Sequence, residues 1–257
     1  MIDFEVKGAI FDVDDTLLDN KPGVLGQGLH ERSRLAAVHT IGEKYGIEQL
    51  VHMSAEDNLA AFMTARAHTI EAAVWNMFVG AGLVDSEIMD KDNPLLLEIV
   101  KLKDILHETI IINEANEVPG AVDFVRKLAA AGHQDTLAIA SSATRRDVDL
   151  FLNKVGLVSL FPSDRVKTID TITYPKPHPE VFNVAFDSLH LPESDRFKVC
   201  AFEDDPRGIV AAHAAGLYVC AITTRFSRNE LLSLESPPHL IADSYAEFSE
   251  LFGLIAS

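Results

Sequence analysis

The chain has 257 residues, 47% of them hydrophobic and 24% charged, the balance of an ordinary globular protein of one or two domains. Its formal net charge of −17, from 39 acids against 22 bases, excludes a broad basic face for nucleic acid, although a local lysine and a metal can still gather a small anion. The two cysteines, Cys200 and Cys220, lie in apolar runs. No Cys/His spacing suggests zinc, no basic-then-apolar leader opens the chain and no apolar run reaches membrane-spanning length, so a reducing cytoplasmic setting is expected.

The first predicted element is a short buried strand, Val6 to Phe11, running into Asp12-Val13-Asp14-Asp15-Thr16. Carboxylates at a strand end face the ligand edge of an open α/β sheet, where their repulsion is relieved by a cation. The plain alternative for Asp12, Asp14 and Asp15 is a solvated turn. Residues 20–116 carry helix-compatible stretches at Leu29 to Tyr45, Asp57 to Val79 and Asn93 to His107, without a clear strand. Trp75, Met77 and Phe78 are expected to pack their core. Arg32, Arg34, Lys44, Arg66, Lys101 and Lys103 could meet a substrate, but each reads first as part of a solvated helix face.

From Glu117 onward strand and helix signals alternate. Pro119-Gly120 opens a helix ending at Gly132, and a strand from Thr136 to Ala140 ends in Ser141-Ser142, whose hydroxyls suit either a phosphoryl oxygen or a helix cap. A helix from Arg145 stops at Gly156, and Arg165 to Ile172 reads as an edge strand. Three prolines in Pro175-Lys176-Pro177-His178-Pro179 hold Lys176 stiffly before a helix from Glu180 to Leu189; His178 reads as a loop residue. A strand from Lys198 to Phe202 runs into Glu203-Asp204-Asp205, a second acidic strand end whose oxygens would suit Mg²⁺. A helix over Arg207 to Ala215, a strand over Leu217 to Ile222 and a short strand at Leu240 to Ala242 complete the pattern, that of a parallel sheet covered on both faces.

Taken in order, these signals resemble the haloacid dehalogenase superfamily, in its subgroup of phosphatases and phosphomutases with a helical cap inserted early. Asp12, Asp14 and Thr16 fit its DxDxT motif, Ser141 the strand ending in Ser or Thr, Lys176 the lysine in a KPxPE context, and Glu203-Asp204 the acidic pair. The resemblance implies an α/β class with a Rossmann-like parallel sheet core, residues 1–19 and 117–257, and an inserted all-helical cap domain, residues 20–116, that closes over the site and selects the substrate.

The resemblance also implies roles. Asp12 is the nucleophile and Asp14 the acid/base. Thr16, Ser141, Ser142 and Lys176 bind phosphate. Asp12, Asp14 (through its backbone carbonyl), Glu203 and Asp204 hold Mg²⁺, with Asp205 an open alternative. The expected partner is a small phosphorylated metabolite, not nucleic acid or membrane. A phosphomutase of the β-phosphoglucomutase type is the nearer alternative, but the histidine and arginine those enzymes carry are missing from Asp19-Asn20-Lys21-Pro22-Gly23 and Met53-Ser54-Ala55-Glu56. A non-enzymatic interaction protein of the same fold would be expected to lose a motif residue, and none is lost.

Overall fold

The structure, a computed structural model, describes residues 3–20, 28–65, 69–85 and 87–254. Six strands form one parallel sheet: β1 (Gly8–Phe11), β4 (Leu137–Ala140), β5 (Val166–Lys167), β6 (Val199–Glu203), β7 (Tyr218–Ile222) and β8 (Leu240–Ala242). Their order is β5-β4-β1-β6-β7-β8. The strands GAIF, LAIA and VCAFE are buried throughout, because helices cover both faces and no position alternates to solvent. The helices are α6 (Ala121–Leu128), α7 (Arg145–Val155), α8 (Glu180–Asp187), α9 (Pro206–Ala214), α10 (Arg228–Leu232) and α11 (Tyr245–Leu251). On one face Phe11 stacks on Phe202 with centroids 4.6 Å apart, and Phe124 and Phe248 pack edge-on against Phe202. The sheet is the parallel α/β architecture read from the sequence, with one reduction. The edge strand shortens to two residues, and a 3-10 turn takes over at Ile169–Thr171.

The chain after β1 goes first to one side of it, β4 and β5, and later to the other, β6 to β8. The carboxyl end of β1 is therefore a topological switch point, where an open α/β sheet leaves a crevice.

By internal contacts the chain divides into two compact units, Met1–Asp19 with Asn116–Ser257, and Asn20–Ala115. In the first, β2 (Leu18–Asp19) and β3 (Asn116–Glu117) pair antiparallel, with Asp19 opposite Asn116. The second is helical: α1 (Leu29–Tyr45), α2 (Glu48–Val51), α3 (Ala55–Met63), α4 (Ile70–Gly80) and α5 (Pro94–Glu114). Its core gathers Ala37, Val38, Ile41, Leu50, Val74, Trp75, Met77, Phe78, Leu96 and Ile99.

The single stretch expected from Asp57 to Val79 is two helices. Ser54 caps α3 in a reciprocal box with Asp57, and Thr69 caps α4 through Ala72 N–H, so each start has its own local signal. Arg66 lies outside the described residues, as do Lys21, Pro22 and Gly23. Arg34 and Lys103, expected on solvated faces, are both only 1% exposed. Among the described residues no helix is long and apolar enough to cross a membrane.

Candidate active site

Parallel pairing brings the ends of β1, β4 and β6 side by side, and with them Asp12, Ser141 and Glu203-Asp204. Asp12 continues the ladder by donating its N–H to Phe202 O at 3.0 Å. Lys176 enters from the proline-rich loop. Its Nζ donates to Asp12 Oδ1 at 2.5 Å, Glu203 Oε1 at 2.6 Å and Ala140 O at 2.9 Å. All three ammonium protons are thereby used, two of them on carboxylates.

Oxygens of Asp12, Glu203 and Asp204 lie within 4.8 Å of one another, and all three residues are buried. Three carboxylates against one ammonium leave an excess of negative charge away from water. Burial, with the charges of Glu203 and Asp14 against the opposing Lys176 ammonium, pushes the Asp12 carboxyl well above the ordinary aspartate range. Asp204 is raised likewise, by burial and then by Glu203 and Asp12. Burial alone would depress the Lys176 ammonium, but the Asp12 and Glu203 carboxylates reverse this and drive it upward. An all-oxygen, net-negative cluster of this kind fits a hard divalent cation such as Mg²⁺.

The other expected residues divide. Asp14 is half-buried, and its carboxylate is not one of the three clustered groups. Thr16 is fully buried, and its hydroxyl donates to Asp204 Oδ1 at 3.1 Å. Here it orients that carboxylate. Ser141 is buried, and its Oγ accepts Ala143 N–H at 3.0 Å, which leaves the hydroxyl proton to donate. Ser142 is exposed. Asp205 caps α9 by accepting Arg207 N–H at 2.8 Å and stands outside the cluster. Glu203 keeps its place through Oε2, which accepts the N–H groups of Asp204 and Asp205.

Several supporting residues were not singled out from the sequence. Gly208, on α9, abuts Glu203 so closely that a β-carbon there would overlap the carboxylate. A glycine in the first turn of a helix was the available signal. Tyr245 OH donates to Thr16 O at 3.0 Å and Thr224 Oγ1 to Asp15 O at 2.5 Å, both fixing the acidic loop from the far end of the chain. Glu180 accepts the N–H groups of Thr173 and Tyr174 at 3.0 and 2.8 Å, tying down the segment that leads to Lys176. Arg207 holds Lys176 O at 2.5 Å. Asp15 has φ of 57°, a left-handed conformation that aspartate tolerates better than most residues.

The site is thus a set of acids at the ends of β1 and β6, with a lysine between them, on a parallel α/β core. Residues 6–216 match the haloacid dehalogenase-like hydrolase family, to which this chain belongs. It is 25% identical to Protein CbbY of Rhodobacter capsulatus, over 88% of this chain and 89% of that protein. It is 28% identical to a probable pseudouridine-5'-phosphatase of Drosophila melanogaster, over 98% and 96%. The fold is shared with a haloacid dehalogenase hydrolase of family IA, variant 3, from Entamoeba histolytica: TM-score 0.73 at 22% identity, over 96% of this chain and 98% of that one.

Proposed function

We propose that this hydrolase is a Mg²⁺-dependent phosphatase that cleaves a small phosphomonoester through an aspartyl-phosphate. The observation that carries the reading is the Lys176 ammonium clamped between Asp12 and Glu203 at the end of the central strand. It keeps one Asp12 oxygen fixed and leaves the other to attack. Attack by that oxygen on phosphorus breaks the bond to the leaving oxygen, which takes a proton from Asp14. Asp14, now a carboxylate, accepts a proton from water, whose oxygen displaces Asp12 and releases inorganic phosphate. The Ser141 hydroxyl, at the same sheet edge, would donate to a phosphoryl oxygen as charge spreads over it. Asp12, Glu203 and Asp204 would hold the cation, which reduces the repulsion between an anionic nucleophile and an anionic ester.

Hydrolysis is favoured over mutation of a sugar phosphate because the histidine and arginine of the mutases have no counterpart in the segments where they are expected. The deciding experiment measures phosphate release from a panel of phosphomonoesters with Mg²⁺, for the wild type and Asp12→Asn. Release that survives Asp12→Asn would remove the covalent mechanism. Sugar phosphate isomerisation without phosphate release would favour the mutase.

A further inference from the structure

We propose that Arg207 is a positioning residue for Lys176, holding the backbone end of that lysine while the acids hold its ammonium. The proposal rests on the phosphatase reading in so far as Lys176 serves the reaction. Lys176 lies between Pro175 and Pro177, with Pro179 two residues further on. A proline has no N–H, so this stretch is poor in donors with which to tie itself to the rest of the sheet unit. His178 N–H turns back on Pro175 O at 3.0 Å, inside the loop, and Glu180 takes only the N–H groups of Thr173 and Tyr174, ahead of the lysine. The carbonyl of Lys176 itself is met by Arg207 Nη2 at 2.5 Å. At the other end Nζ is held by Asp12, Glu203 and Ala140 O, and it lies 4.9 Å from the centroid of the Phe182 ring. Lys176 is thereby fixed at both ends.

Nothing in α9 calls for an arginine at this place. The first turn already has its cap, Asp205, which accepts the Arg207 N–H at 2.8 Å. A cation in that turn also opposes the helix dipole, whose positive end lies there. Arg207 is exposed, and among the described residues Lys176 O is the one acceptor its guanidinium meets. Arg225, a second exposed arginine at this edge, differs: it stands 3.6 Å from Asp205 Oδ2 and has no contact with Lys176. The Arg207 contact is charge-assisted and reaches a main-chain atom, so it sets where the lysine side chain starts. The ammonium has to meet Asp12 and Glu203 at once, and a misplacement of about 1 Å in such a group can cost about a hundredfold in rate.

The test uses the full chain with Arg207→Ala, Arg207→Lys and Arg225→Ala. The lysine ammonium groups are followed by nitrogen-edited NMR, with Lys176→Arg to assign the signal, because an enclosed ammonium with three acceptors exchanges its protons slowly enough to be seen. Phosphate release from para-nitrophenyl phosphate and Tm are measured alongside. Arg207→Ala should broaden or erase the Lys176 signal and lower kcat by about tenfold or more, with KM and Tm unchanged. Arg207→Lys, or guanidinium ion added to Arg207→Ala below denaturing concentration, should restore part of the rate. Arg225→Ala should behave as the wild type. An unchanged Lys176 signal or an unchanged kcat in Arg207→Ala overturns the proposal. So does a loss of rate matched by a lower Tm, which marks a merely structural role, or a rise in KM alone, which marks a substrate contact. Equal losses in Arg225→Ala would assign the effect to local charge and overturn it as well. If the wild type releases no phosphate from any phosphomonoester, the phosphatase reading falls, and the Lys176 signal still decides whether Arg207 holds that lysine.

Discussion

Replacing Gly208 by alanine is the sharpest test of how the acidic cluster is held. In a helix, glycine to alanine normally stabilises by up to about 1 kcal/mol. Here the new β-carbon would overlap the buried Glu203 carboxylate, which grips Lys176 and accepts the N–H groups of Asp204 and Asp205. Overpacking of this kind costs about 1–3 kcal/mol, and weakening one charge-assisted hydrogen bond costs about 1.5–3 more. After subtracting the helix gain, a net loss of about 1.5–5 kcal/mol is expected. For a protein of this size that is a drop of roughly 3–20 °C in Tm, read by circular dichroism. Gly80, with nothing near its β-position, is the internal control, and its alanine variant should be neutral or slightly stabilised. In a Glu203→Ser background the Gly208→Ala penalty should vanish. A stabilised Gly208→Ala protein, or a penalty that persists without the glutamate, would refute the reasoning.

Lys176→Met should destabilise by about 3–5 kcal/mol, because it leaves three buried carboxylates without a counter-ion, and the added change Glu203→Gln should recover part of that loss in a chemical denaturation series. Asp15→Gly should keep activity and gain up to about 1 kcal/mol from relief of its left-handed backbone, offset by glycine's greater freedom in the unfolded chain; a loss of several kcal/mol would mean the side chain is needed. Chelator should abolish phosphate release without unfolding the protein, and Mg²⁺ should raise Tm by ligand linkage. Full turnover in excess chelator would exclude the metal from the reaction.

The sheet and the residues at its edge were legible because a strand buried on both faces leaves an unbroken apolar run, and acids directly after such a run stand out. The partners of those acids were not legible. Thr16 and Asp204 are 188 positions apart, and only the fold shows that the threonine hydroxyl donates to that carboxylate. Lys176 could be placed at the edge from its prolines, but not that all its protons would be used up there. Arg34 and Lys103 were misread because composition makes a charged helical residue look solvated. Arg34 is instead buried against Asn58, which takes its Nε–H at 2.5 Å, and against the Phe62 ring. The break between α3 and α4 has no Pro or Gly to mark it in the sequence, and the capping signals at Ser54 and Thr69 carry the boundary.

The antiparallel pair of β2 and β3 has a consequence for how this protein can change over time. Asp19 and Asn116 sit opposite each other, so the polypeptide leaves the sheet unit and re-enters it one strand spacing away. To the sheet unit, everything between them is a single loop whose closure entropy grows only as the logarithm of its length. An insertion of almost any size, or a tight hairpin in its place, therefore meets the same boundary condition. The helical segment can be rewritten, residue by residue or wholesale, while the acids at the strand ends keep their register.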